Sequence, residues 1–181
     1  MSDRQYRLVT CTINGRERTA MVDVRASLAD MLRGEYSLTS VKIGCEAGEC
    51  GACAVMIDGE CFNSCIYLAI WADGKHITTV EGLTKPDGSL SDLQQAFVDE
   101  TAIQCGFCTP GFLIEAESIL EKGRIYTDQE LRKLLSGHLC RCTGYDNILR
   151  AVRKVMYTRN GLPVPEETKE QPVVIQPEDI R

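Results

Sequence analysis

Apolar and polar positions divide this chain into two halves of different character. Residues Arg7 to Asn14 alternate and end in Asn14-Gly15, and Arg16 to Asp23 follow with β-type residues. Two short runs flanking Asn-Gly predict a β-hairpin. Ser27 is placed to N-cap a short helix through Leu32 and Arg33, with Gly34 as its stop. Ala54 to Ile57 and Glu60 to Asn63 flank Asp58-Gly59, a second hairpin signal. The apolar stretch Ile66 to Ala72 fits helix or strand, and His76 to Val80 reads as a strand.

The pattern changes after the turn-rich run Thr84 to Ser89. Ser91 is placed to cap a helix through Glu100. Thr109-Pro110 starts another, with Pro at the first helical position, running to about Lys122 and stopping at Gly123. Thr127 to Glu130 is a capping box for a helix reaching about Ser136. Asp146 is placed to cap a last helix to about Arg159, with Ile148, Leu149, Val152, Val155 and Met156 on one face. The tail from Gly161 carries Pro163, Pro165, Pro172 and Pro177 among acids and reads as extended or disordered. The expected division is therefore 1–83, a linker 84–90, a helical part 91–159 and a tail 160–181. The halves differ in structure class, so neither is a duplicate of the other.

Composition narrows the functions available. The chain has 181 residues, 44% of them hydrophobic but only 6% aromatic, so its cores must be mainly aliphatic. A formal charge of −6 disfavours nucleic acid, whose phosphates need clustered Lys and Arg. No apolar run approaches the ~20 residues of a membrane span, and the polar N-terminus lacks the apolar core of a secretory signal. The expected location is the cytoplasm, where thiols stay reduced. In that setting ten cysteines point to metal rather than to disulfides.

Cys45, Cys50 and Cys53 form C-x4-C-x2-C in a glycine-rich loop, and Cys65 follows. This is the plant-type ferredoxin spacing. Two sulfide-bridged irons need four thiolates, and a loop wrapping such an anion must aim backbone N–H groups at its sulfurs. Gly44, Gly48 and Gly51 permit that close approach. Zinc fits this spacing poorly, because structural zinc sites use C-x2-C knuckles or His. Cys61 and Cys11 stand outside the set and read as buried apolar residues.

Cys105-x2-Cys108 and Cys140-x-Cys142 form a second set, each pair ending shortly before a predicted helix start. Helix N-termini favour anions. His138 lies close by, but a Rieske-type site needs two histidines, and the other, His76, is in the first half. His138 therefore reads as a surface or supporting residue. Zinc remains a competitor for this set taken alone.

The stretches Cys45 to Cys53, Gln104 to Gly111 and Leu139 to Tyr145 resemble the small iron–sulfur subunit of the molybdenum hydroxylases, among them xanthine dehydrogenase, aldehyde oxidoreductase and carbon monoxide dehydrogenase. The resemblance spans about Arg7 to Met156. It implies an α+β chain: a β-grasp, plant-type ferredoxin-like domain followed by an all-α helical-bundle domain, each with one [2Fe-2S] cluster. It implies a partner large subunit holding a molybdopterin cofactor and, when present, a medium subunit holding FAD; otherwise another acceptor takes the electrons. Between them this chain would carry electrons from Cys105, Cys108, Cys140 and Cys142 on the molybdopterin side to Cys45, Cys50, Cys53 and Cys65 on the flavin side. Gln104 matches a position that contacts the pterin. The resemblance leaves open whether the complex dimerises, and it implies neither nucleic-acid binding nor membrane insertion.

The chain has no room for a molybdenum or flavin domain and no dinucleotide G-x-G-x-x-G motif. It is expected to be one subunit of an oxidoreductase, not catalytic alone. Asn63 to Ala69 and Leu93 to Phe97 look most like bacterial xanthine or purine dehydrogenase subunits, implying a purine, another N-heterocycle or an aldehyde as substrate. Two other readings compete: a stand-alone two-cluster ferredoxin and a zinc-stabilised interaction module. Arg141, between two ligands, is expected to raise the potential of its cluster. Phe107, Phe112 and Tyr145 are expected in an ordinary core, with packing at a subunit interface as the alternative.

Overall fold

The computed structural model describes residues 5–165; the tail beyond lies outside the described residues, as does most of the stretch expected to be extended. Strands β1 (Tyr6–Ile13) and β2 (Arg16–Asp23) form the first hairpin, turning through Asn14 and Gly15, both at positive φ. Helix α1 (Leu28–Gly34) follows a complete capping box between Ser27 and Asp30. Strands β3 (Ala54–Ile57) and β4 (Glu60–Asn63) form the second hairpin, and β5 (His76–Thr78) closes the sheet.

The sheet order is β2-β1-β5-β3-β4. β5 runs parallel to β1 and antiparallel to β3, so a strand late in the sequence joins the two hairpins. Val9, Cys11 and Ile13 of β1 face inward with Val55, Ile77 and the Leu28 and Leu32 side chains of α1. This is the expected ferredoxin-like sheet domain, and Cys11 is buried in its core as expected. Ile66 to Ala72 resolves into a single 3-10 turn, Ala69–Ala72, whose Ala69 and Ala72 are buried. β5 stops at Thr78, two residues early. Thr79 turns inward and binds Asn14 through both its N–H and its hydroxyl, and a 3-10 turn Val80–Leu83 follows.

Helices α2 (Asp92–Asp99), α3 (Thr109–Leu120), α4 (Asp128–Leu134) and α5 (Asp146–Arg159) build the second domain. Leu93, Phe97, Phe112, Ala116, Leu131, Ile148, Val152 and Met156 form its core. The capping boxes at Ser91 and Thr127 are both made. Asp146 does not cap α5. It is the first helical residue, and Tyr145, held left-handed at φ 72°, takes the cap position without a side-chain cap bond. Among the described residues no helix is long and apolar enough to cross a membrane.

The two domains share a seam. Ile114 of α3 packs on Ala54 and Met56 of β3, and the Ser118 hydroxyl donates to the Gly59 carbonyl. α3 thus belongs to the helical core on one face and to the sheet on the other.

Two thiol clusters with interlocked loops

The first cysteine loop joins α1 and Val41 to β3. Ala47 N–H donates to Cys45 Sγ at 3.4 Å. With the Glu49 and Cys50 N–H groups and the Cys50 thiol, that bond brings Cys45 down to about 6. Cys65 returns beside Cys53, and burial, then Cys53, pushes its thiol up to about 11. Cys45 thus associates with Cys50, and Cys53 with Cys65. The loop is pinned from β4's end: the Asn63 amide donates to the Gly48 carbonyl at 2.8 Å and the Ser64 hydroxyl to the Cys53 carbonyl at 2.6 Å.

In the second set Cys108 is the N-cap residue of α3 itself. Cys105 Sγ and Cys142 Sγ lie 3.6 Å apart. Cys108 meets Cys140: burial, then Cys140, pushes Cys108 up to about 12. Burial raises Cys140 too, but the Thr143 hydroxyl and N–H, the Cys142 N–H and the Cys108 thiol outweigh it and bring Cys140 to about 7. The thiolate is the form that takes metal, and Cys45 in one set and Cys140 in the other are shifted toward it. The Tyr145 hydroxyl accepts the Cys140 N–H at 2.9 Å and fixes the C-x-C turn.

All eight predicted ligands therefore fall into two clusters of four, each divided into two pairs, and none is in a disulfide. The division suits a two-iron cluster, in which each iron takes two thiolates, and the backbone N–H groups aimed at sulfur suit its negative charge. Cys45, Cys105 and Cys142 are exposed, whereas Cys53 and Cys108 are buried. Each set has a rim open to a partner and a side facing inward.

The inward sides touch. Leu139 N–H donates to the Cys50 carbonyl at 3.0 Å. A methyl group on Gly111 would lie 2.2 Å from the Gly51 carbonyl oxygen, and one on Gly44 would lie 3.4 Å from the Phe107 ring. The His138 ring fills the space against Gly51 and Gly111. His138 is 6% exposed, so the surface reading is wrong. Burial holds His138 down to about 4, which keeps the ring neutral. Cys61, read as a buried apolar residue, is only half-buried, and burial, then Glu115, pushes its thiol far up. Phe112 is a core residue, but Phe107 and Tyr145, at 47% and 37% exposed, are not. Arg141 is exposed beside its ligands. Gln104 is exposed next to Cys105, and its amide makes no hydrogen bond among the described residues.

A sheet domain and a helical domain, each presenting four paired thiols, define a two-site iron–sulfur protein. Residues 11–77 match the 2Fe-2S iron-sulfur cluster binding domain family and residues 79–153 the [2Fe-2S] binding domain family. The chain is 52% identical over 140 residues to the nicotine 6-hydroxylase small subunit of Paenarthrobacter nicotinovorans, covering 77% of this chain and 84% of that one. It is 48% identical over 146 residues to the xanthine dehydrogenase iron-sulfur-binding subunit of Escherichia coli O157:H7, covering 80% and 91%. Quinoline 2-oxidoreductase from Pseudomonas putida 86 superposes with a TM-score of 0.79 at 47% identity, covering 82% of this chain and 91% of that chain. The chain belongs to the [2Fe-2S] small-subunit family of the xanthine dehydrogenase-like molybdenum hydroxylases. It is an electron-transfer subunit of a multi-subunit oxidoreductase and not catalytic alone.

Proposed function

We propose that Cys45, Cys50, Cys53 and Cys65 hold one [2Fe-2S] cluster and Cys105, Cys108, Cys140 and Cys142 the other. Cys45 with Cys50 would serve one iron of the first and Cys53 with Cys65 the other; Cys105 with Cys142 and Cys108 with Cys140 would divide the second alike. When bound, such clusters accept and release one electron at a time. The chain's own residues then set the route. The Leu139-to-Cys50 hydrogen bond carries the reading: it ties a residue adjacent to ligand Cys140 directly to ligand Cys50.

The exposed Cys105, Cys142 and Gln104 form the side that would face a large molybdopterin-binding subunit, with the unpartnered Gln104 amide offering donors and an acceptor to the pterin edge. The exposed Cys45 rim would face an FAD-binding subunit. Electrons would enter at the helical domain and leave from the sheet domain. The relatives' names supply nicotine, xanthine and quinoline, all N-heterocycles, and we place the substrate in that class, read by the large subunit. The compartment would be the cytoplasm.

Iron and acid-labile sulfide on anaerobically purified protein test the ligand sets. Two clusters give about four of each per chain. Cys65→Ser and Cys108→Ser are each expected to lower iron to about two per chain, removing different electron paramagnetic resonance signals. A wild-type chain with about two irons, or a colourless zinc-loaded one, would sink the assignment.

A further inference from the structure

Cys61, Glu115 and His138 belong to neither thiol set, yet the fold brings them together. Cys61 lies on β4, Glu115 on α3, and His138 on the turn that leads into Cys140. The thiol sulfur, a carboxylate oxygen and an imidazole nitrogen all lie within 4.8 Å of one another. His138 is more than nine-tenths buried, and neither of its ring nitrogens has a hydrogen-bond partner among the described residues. Buried polar atoms are almost always satisfied, so an idle imidazole beside a thiol and a carboxylate lacks a partner.

We propose that Cys61, Glu115 and His138 form a site for a single divalent ion of the zinc class, separate from both cysteine sets. The donor chemistry selects it. Sulfur, nitrogen and carboxylate oxygen are the three donor types zinc takes, whereas magnesium and calcium take oxygen alone. Charge agrees once the ion displaces the Cys61 proton to solvent: the resulting thiolate and the Glu115 carboxylate neutralise a doubly positive ion, which suits a partly buried seam. Bonds of about 2.0–2.3 Å put donors about 3.3–3.7 Å apart around a tetrahedral ion, so donors already within 4.8 Å of one another have at most about 1.5 Å to close. Cys61 and Glu115 are only partly buried, which leaves the fourth position to water.

The site's position gives it a consequence. Cys61 hangs from the sheet domain, while Glu115 and His138 belong to the helical domain, and Ile114 next to Glu115 already packs on β3. An ion here would staple the two domains beside the place where their loops interlock. Zinc has no redox chemistry, so it would brace that junction without intercepting electrons.

The test loads fully iron-replete chain with zinc, desalts it, and measures zinc, iron and the zinc K-edge absorption spectrum. Retention of about one zinc per chain, with one sulfur and the remaining neighbours nitrogen or oxygen, is expected. Cys61→Ser and Glu115→Gln should each lower retained zinc by about tenfold or more with iron unchanged. Should Cys61→Ser also lose iron, Glu115→Gln and the wild-type sulfur count still decide. The proposal fails if wild type retains no zinc, if the retained zinc has an all-sulfur shell, or if both variants hold zinc as tightly as wild type.

Discussion

The two thiol sets each gather four cysteines, by different structural means. In the first, three of the four cysteines sit in one nine-residue loop, Cys45 to Cys53, and the fourth arrives through a tight hairpin. In the second, Cys108 and Cys140 are separated by two helices and meet only because α3, α4 and α5 pack. The first site is a local object resting on a sheet. The second is a product of tertiary structure, and its geometry is only as firm as the helical core beneath it.

The largest test of that difference is Phe112→Ala. Phe112 is fully buried one turn into the helix that Cys108 caps. Truncating a buried Phe costs about 3–5 kcal/mol. The second cluster should be lost at lower denaturant than the first, read as two separated bleaching steps in visible circular dichroism. A single joint step would mean that the local loop depends on the helical core as heavily as the split set does.

Gly111→Ala probes the junction instead of either site. Its methyl would meet a backbone carbonyl, which cannot swing aside as a side-chain tip can. Overpacking of this kind costs about 1–3 kcal/mol, and the loops must part to relieve it. Iron content should hold while electron transfer between the clusters slows, measured by freeze-quench after rapid reduction in the assembled complex. An unchanged rate would show that the contact between Gly111 and Gly51 lies off the electron route.

A matched pair separates the loops at smaller cost. Asn63→Ala removes the bond to Gly48 in the first set, and Tyr145→Phe removes the acceptor for Cys140 N–H in the second. Each bond contributes about 1–1.5 kcal/mol. Each variant should speed loss of its own cluster to a chelator and leave the other's rate alone. Acceleration of both by either variant would argue that the interlock transmits loop disorder.

The contrast also explains what was legible beforehand. Cys45, Cys50 and Cys53 carry their geometry in their spacing, and β3 and β4 are bounded by an Asp-Gly turn, so sequence sufficed for both strands. For the second set spacing singled out the four cysteines, but which thiol lies beside which depends on helix packing that periodicity does not encode. The surface half of the His138 reading fails for the same reason. A polar residue on a short turn reads as surface, and only the approach of Gly51 and Gly111 buries it. Tyr145 escaped because its left-handed backbone, followed by an acid, imitates a capped helix start at Asp146. The signals that did exist were Asn63 and Ser64 immediately before Cys65, and Thr143 immediately after Cys142, small polar residues where loops need hydrogen bonds.

The smallest test uses two helix caps that mirror each other across the domains. Ser27 caps α1 under the sheet, and Thr127 caps α4 in the helical core; both make complete capping boxes. Ser27→Ala and Thr127→Ala should each cost about 1 kcal/mol. Neither cap touches a thiol, so any cluster effect must pass through its own domain. If the domains melt as two units, Ser27→Ala lowers only the transition that bleaches the first cluster and Thr127→Ala only the second. The α3 seam on β3 and β4 opposes that separation, since it buries Ile114 against the sheet. Caps in different domains share no partners, so their costs should add within about 0.5 kcal/mol in the double variant. Equal shifts of both transitions by either cap would make the seam, and not the domain, the unit of stability, and the two thiol sets would then stand or fall together despite their different construction.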